Sequence, residues 1–144
     1  MHTTYSFSDV EAIISHPGVG QYSMQGEGIG SITVSMSGDL TSHDVAADGV
    51  VMVSKIDQTN GTITINAQQT SSLHRWLLKY TNYVKSADTS EWAEGSITIR
   101  APYMKETLIA TGVSPQKLPD KPYQQQGQQV AWTLMAAKIQ QLPY

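Results

Sequence analysis

Cysteine is absent from this 144-residue chain, which excludes disulfide frameworks, thiolate metal sites and cysteine nucleophiles. Charge is scarce as well: Asp, Glu, Lys and Arg make up 15% of the residues, against about 25% in typical globular proteins. With hydrophobic content at 40%, so low a charge fraction points to polar surface that is itself covered, as in an oligomer. There is no basic excess. The net charge is -3, so the chain has no electrostatic footprint for tight binding to nucleic-acid phosphates. No apolar run approaches the ~20 residues that a membrane helix needs. The opening Met1-His2-Thr3-Thr4-Tyr5 has neither the basic region nor the apolar segment of a secretory signal, so the chain is expected to be cytosolic at synthesis. No internal repeat or low-complexity linker divides it, and its length is that of a single domain over residues 1–144.

What the chain does have is alternation. In Ser31-Ile32-Thr33-Val34-Ser35-Met36-Ser37 the hydroxyls fall on one side and the aliphatic residues on the other. Thr62-Ile63-Thr64-Ile65-Asn66-Ala67-Gln68 and Ser96-Ile97-Thr98-Ile99-Arg100-Ala101 repeat the pattern, and Tyr5-Ser6-Phe7-Ser8 is a shorter version. A period of two predicts strands with one buried and one wet face. The wet face is unusual in carrying Ser, Thr, Asn and Gln where Lys and Glu are common, with Arg100 the main exception. Such a surface is hydrated but nearly charge-free. It suits a wall beside which another polymer lies without being gripped, although Thr-rich strands also occur in plain sandwiches because Thr favours strands.

Further strands are expected at Val10–Ser15, at Tyr22-Ser23-Met24, at Val50-Val51-Met52-Val53 and at Leu108–Val113. Gly38–Gly49 reads as a long polar loop, of a length that is usually functional or interface-forming. Asn60-Gly61 predicts a hairpin between the Val50 and Thr62 strands. Thr70-Ser71-Ser72 offers a helix cap, and Leu73, Trp76, Leu77, Tyr80 and Val84 form one apolar stripe, giving a helix over about residues 71–86. His74, Arg75, Asn82 and Lys85 are assigned to its other sides, and Leu78 stands off the stripe, exposed unless a neighbour buries it. Pro115, Pro119 and Pro122 hold the following segment out of the sheet until Gly127. The last strand, Val130–Ile139, is apolar on both faces, as is the Val50 strand, and both therefore need cover on two sides. The fold class is mainly β, a β-sandwich or rolled barrel-like sheet with one flanking helix.

No constellation carries catalysis. His2, His16, His43 and His74 lie in different elements without ligand spacing, and His43-Asp44 is a metal or base-orienting pair only in sequence. Gly26, Gly28 and Gly30 lack the lysine and the following helix of a phosphate loop. Glu91 and Glu94, flanking Trp92, have a spacing common in solvated segments. No enzyme, no metal and no cofactor is expected. Trp92, Tyr103 and Tyr123 sit in or near loops and could stack on sugar rings, so a carbohydrate-binding, lectin-like or adhesin-like module is the alternative; aromatic residues also close cores and interfaces.

Taken in order, several short motifs resemble the tail tube proteins of contractile-tailed bacteriophages. They are Tyr5-Ser6-Phe7-Ser8-Asp9-Val10 followed by Pro17-Gly18, Ala47-Asp48-Gly49 before the Val50 strand, and Gly61-Thr62-Ile63-Thr64-Ile65 followed by Thr70-Ser71-Ser72-Leu73. Ala110-Thr111-Gly112-Val113 and Val130-Ala131-Trp132-Thr133-Leu134 complete the series. The resemblance spans nearly the whole chain and rests on order and spacing. It implies a virion structural protein whose hexameric rings join their strands into a continuous barrel and stack into an inner tail tube. The partners it implies are further copies of the chain, a tail sheath, a tape-measure protein, and baseplate and tail-terminator proteins, with DNA only in passage and no membrane. The implied location is the virion tail, after assembly in the host cytoplasm. On that reading Thr62, Thr64, Asn66, Ser96 and Thr98 face the lumen, with Ile63, Ile65, Ile97 and Ile99 turned to the core. Contacts between rings or subunits are assigned to Asp39, Leu40, His43, Asp44, Asp48 and Leu78, the acidic residues meeting lysines among Lys55, Lys79, Lys105 and Lys117. Pro17–Gly30 is the alternative stacking segment.

Overall fold

The alternating segments become strands of one antiparallel sheet. The computed structural model describes residues 2, 4–24 and 28–143. Chain order runs β1 (Glu11–His16), β2 (Gly20–Met24), β3 (Ile29–Met36), β4 (Thr41–Val45), β5 (Val51–Lys55) and β6 (Gly61–Gln68), then α1 (Ser72–Ser86), β7 (Gly95–Ala101), β8 (Glu106–Pro115) and β9 (Gln129–Pro143). Seven strands hydrogen-bond in the order β2-β1-β7-β8-β9-β6-β3, while β4 and β5 pair separately as a two-stranded ribbon.

The sheet is rolled, as covalent reach requires. β2 and β3 are its opposite edges, yet β2 ends at Met24 and β3 begins at Ile29. Laid flat, strands about 4.8 Å apart would put these edges roughly 29 Å from each other. The residues joining them reach at most about 18 Å. An arc of that length closed to that chord turns through roughly half a circle, which makes a half-barrel.

Helix α1 fills the concave side. It touches both β2 and β6, strands that a flat sheet would hold farther apart than the width of a helix. Ser71 caps it, its hydroxyl accepting from the His74 amide at 3.2 Å. Leu73, Leu77, Tyr80 and Val84 are buried as the stripe requires, and Trp76 is half-buried. The Tyr80 hydroxyl donates to the Val113 carbonyl of β8 at 3.0 Å, and burial pushes its pKa up to about 12. Beneath the helix, Ile63, Ile65, Ile97 and Trp132 have no exposed surface, each contributing about 1.5–3 kcal/mol of burial. Gly112, at φ 65°, marks an extra residue in β8 relative to β7, where the register shifts between Gly95 and Ser96. The buried set accordingly steps by three, from Ala110 to Val113 on β8 and from Ala136 to Ile139 on β9.

Local signals misplace several elements. Tyr5–Ser8 is not a strand: Phe7–Asp9 forms a 3₁₀ turn beside a Ser6–Ser8 hydroxyl pair at 2.7 Å, a local bond that competes with extended pairing. The Val50 and Thr62 strands are not a hairpin. β5 pairs with β4, and β6 pairs with β3 and β9. Gly61 does not adopt the positive φ that a two-residue hairpin turn needs, whereas Gly49 does, at φ 89°. The turn is therefore Ala46–Gly49, closed by Gly49 N–H to Ala46 O at 2.9 Å and Ala46 N–H to Val50 O at 2.8 Å. Gly38–Gly49 is thus no open loop, since Thr41–Val45 is a strand. The Val50 strand, expected under cover, is exposed throughout. His74, assigned to a side of the helix away from the apolar stripe, is buried.

Candidate assembly surfaces

Strand pairing lines up the outward side chains into rows. Thr33 lies beside Thr64, which lies beside Thr133. Ser31, Asn66 and Ala131 form the next row, with the Asn66 amide donating to Ser31 Oγ at 2.8 Å. Across the other half of the sheet run Ser15–Ser96–Thr111, Ile13–Thr98–Ile109 and Glu11–Arg100–Thr107. Ser15 and Ser96 share a hydroxyl hydrogen bond at 2.9 Å. Thr62, Thr64, Asn66, Ser96 and Thr98 are all half-buried on this outward side, while Ile63, Ile65 and Ile97 are fully buried on the other. Ile99 also turns inward but stays half-buried.

The β4–β5 ribbon projects from the β3–β6 end of the sheet. Its register, Thr41–Lys55, His43–Val53 and Val45–Val51 alternating with Ser42–Ser54 and Asp44–Met52, gives it two unlike faces. His43, Val45, Val51 and Val53 share one face, and Asp44 and Met52 share the other. Val53 is 59% exposed and Val45 64%. An isolated two-stranded hairpin is marginal in water, so a valine face this open fits a surface that is covered on assembly. Asp39 and Leu40 stand at its base and Asp48 at its tip, where Asp48 Oδ1 accepts from the Val50 amide at 3.1 Å. Leu78 is separate from this group, half-buried on α1 against the core.

The remaining candidates have structural partners. His16 donates from Nε2 to the Glu91 carbonyl at 2.8 Å and accepts at Nδ1 from the Gly18 amide at 3.0 Å, so its ring pins the segment after α1 to β1. Glu91 accepts the Tyr83 hydroxyl at 2.9 Å, which raises the Tyr83 pKa chiefly through that bond. His43 and Asp44, adjacent in a strand, point to opposite faces and cannot converge on one ion. Among the described residues no cluster of metal-ligating side chains forms, and no helix is long and apolar enough to cross a membrane. Gly26 lies outside the described residues. Gly28 turns the chain at φ 73°, where an added Cβ would meet Ser71 Cβ at 2.7 Å. Trp92, Tyr103 and Tyr123 are exposed in three separate segments. The depression beside Tyr5 and Tyr103, of about 10 Å³, is too small for a sugar ring. Sequence reasoning missed the His74–Trp132 pair, in which Trp132 Nε1–H donates to His74 Nδ1 at 3.0 Å. It also missed a cleft of about 180 Å³ lined by Ile32 and Val34 of β3 together with Ile99 and Leu108 of β7 and β8.

Residues 2–143 match the model of the family described as bacteriophage PhiTE tail tube protein. The chain belongs to this tail tube family. It is a structural family rather than an enzyme family, so the absence of a catalytic constellation from the sequence has its explanation. No curated protein sequence matches the chain. Among solved structures, a chain of the anti-feeding prophage baseplate has a TM-score of 0.62 at 10% identity, over 99% of this chain and 98% of that one. A chain of the sheath–tube complex of an extracellular contractile injection system, PVC, in its extended state, gives 0.53 at 14% identity, over 92% and 88%. A chain of the sheath/tube terminator of an extracellular contractile injection system, PVC, gives 0.56 at 14% identity, over 99% and 98%. At these identities the likeness is one of fold.

Proposed function

We propose that this tail tube protein forms hexameric rings that stack into the inner tube of a contractile tail, and that DNA passes through it at ejection. The observation that carries the reading is the pair of free sheet edges, β2 and β3, on a chain of this family. Open edges with unpaired amides and carbonyls are a hazard in a monomer and a means of joining sheets in a ring. The uncovered hydroxyl side, with Thr62, Thr64, Asn66, Ser96 and Thr98, supplies the wall of the lumen. Neutral hydroxyls exchange hydrogen bonds with water and do not hold phosphate as lysines would. The ribbon, with Asp39, Leu40, His43, Asp44 and Asp48, reaches the next ring, and Leu78 meets a neighbouring subunit.

A sheath, a baseplate and a terminator are the partners that the fold neighbours' assemblies favour. A tape-measure protein occupies the lumen before DNA does, assembly takes place in the host cytoplasm, and the mechanism is passive conduction. Negative-stain microscopy and sedimentation of the purified chain test this, with rings and tubes as the expected result. A monomer at high concentration that forms neither, and that instead binds on a glycan array, overturns it in favour of the carbohydrate-binding alternative.

A further inference from the structure

We infer that only the outward face of β3, β6 and the first part of β9, residues 129–135, lines the channel, and that the outward face of β1, β7, β8 and the rest of β9 is turned away from it. The inference rests on the tube reading and narrows it, since it removes Ser96 and Thr98 from the lumen wall. Two geometric observations require the division. Inward side chains of β3 (Ile32, Val34) and of β7 and β8 (Ile99, Leu108) line one and the same cleft and, since β3 and β7 stand four spacings apart in the sheet, enter it from different sides. Successive side chains of a strand leave on opposite sides, so Thr33 on β3 and Thr98 on β7 point away from each other. The roll of the sheet gives the same result independently. β6 and β7 stand three strand spacings apart in the order, and half a circle over the whole sheet puts roughly a right angle between their outward normals. A ring presents one side of each subunit to its channel, so the two faces cannot both border it.

Charge decides which face is the wall. The rows Ser31–Asn66–Ala131 and Thr33–Thr64–Thr133 contain no ionisable side chain. The other face carries Glu11 beside Arg100, with Ile13 left 42% exposed, and it continues into the later part of β9, where Lys138 lies beside Thr111 of β8. Repeated around every ring, Arg100 on a channel wall would form a ladder of guanidinium groups. Each phosphate contact of such a ladder would displace counterions and hold the polyanion in place. Hydroxyl and amide rows hold nothing so firmly.

Because the chain has no cysteine, single substitutions give unique labels. Tubes of Thr64→Cys, Thr133→Cys and Thr98→Cys are assembled, treated with a small organomercurial and imaged by cryo-microscopy, and the radius of the mercury density is measured. The expected result is density at the channel surface for positions 64 and 133. Position 98 should be labelled about 10 Å or more farther out, the spacing of two packed sheets, or be shielded from label by a neighbouring copy. Having two channel variants protects the test against one that fails to fold. Equal radii for 64 and 98, a smaller radius for 98, or no label at 64 and 133 overturn the inference while leaving the tube intact. Failure of the unsubstituted chain to form tubes removes the tube reading itself, and this inference with it.

Discussion

His74 is 2% exposed and accepts a hydrogen bond from Trp132 at Nδ1, so its neutral form carries the proton on Nε2. That atom is buried without a partner among the described residues. Burial first, and then the Lys121 charge, hold its pKa below the ordinary 6.5. A folded pKa below the unfolded one means that the unfolded chain binds more protons as the pH falls. The stability contributed by the neutral ring is therefore complete above about 6.5 and is lost progressively below it. Urea unfolding between about pH 7 and pH 5 should show this loss in the parent protein and a shallower one in His74→Asn, whose amide oxygen stands where Nδ1 does and keeps the Trp132 bond without titrating. Equal acid slopes would acquit His74. At Gly95 the constraint is steric. An added Cβ would lie 2.8 Å from the Val113 carbonyl oxygen and 2.7 Å from the Tyr80 hydroxyl, and the first of these is backbone that cannot step aside. Gly95→Ala should cost about 1–3 kcal/mol, read as a lowered unfolding midpoint, and an unchanged midpoint would mean that β7 slides freely past β8.

The ribbon is the element in which sequence and structure part most clearly. Alternation located β3, β6 and β7 because each keeps a covered face, and covered faces write themselves as isoleucines at every second position. β4 and β5 have no covered face in the chain, so nothing in Thr41–Val45 marks it as a strand. Asn60-Gly61 and Asp48-Gly49 are equivalent turn signals by composition; the choice between them is made by pairing with β3 and β9, which lie far away in sequence. Trp132 sits 58 residues from His74, and for the same reason the helix pattern alone placed that histidine off the apolar stripe. Since the ribbon contributes no buried side chain, replacing Leu40–Ile56 with a short glycine-containing turn should change stability by less than about 1 kcal/mol while abolishing tube growth. Removing Leu40 to Ala46 alone would leave β5 unpaired and is the poorer variant. Val51→Thr with Val53→Thr keeps strand propensity and should shorten tubes without altering the unfolding curve. Long tubes from the excised chain would move the stacking contact to Pro17–Gly30.

At the scale of the whole molecule, scarce charge and a valine-faced ribbon bear on what holds rings together. Asp39, Asp44 and Asp48 meeting lysines of the next ring would make a charge-driven contact. Val45, Val51 and Val53, all exposed on one face, would make an apolar one. The two differ in salt. At about 1 M salt the screening length falls to about 3 Å, which weakens exposed ion pairs, whereas burial of apolar surface is not screened and is strengthened by excluded salts such as sulfate. The chain has 21 charged side chains, nine basic and twelve acidic, and in the described part the one ion pair within 4 Å is Lys55–Asp57, at 3.9 Å with both partners exposed. A protein that relies so little on charge within its own fold, and whose projecting element exposes three valines on the face where Lys55 is the one lysine, should assemble by apolar burial. Sedimentation of assembled tubes across a sodium chloride series, and then in sodium sulfate, should therefore show the pelleted fraction constant or rising to about 1 M. Dissolution of the tubes over that range would transfer the contact to the acidic face of the ribbon. Asp44→Asn should then reproduce at low salt the loss that high salt causes in the parent chain.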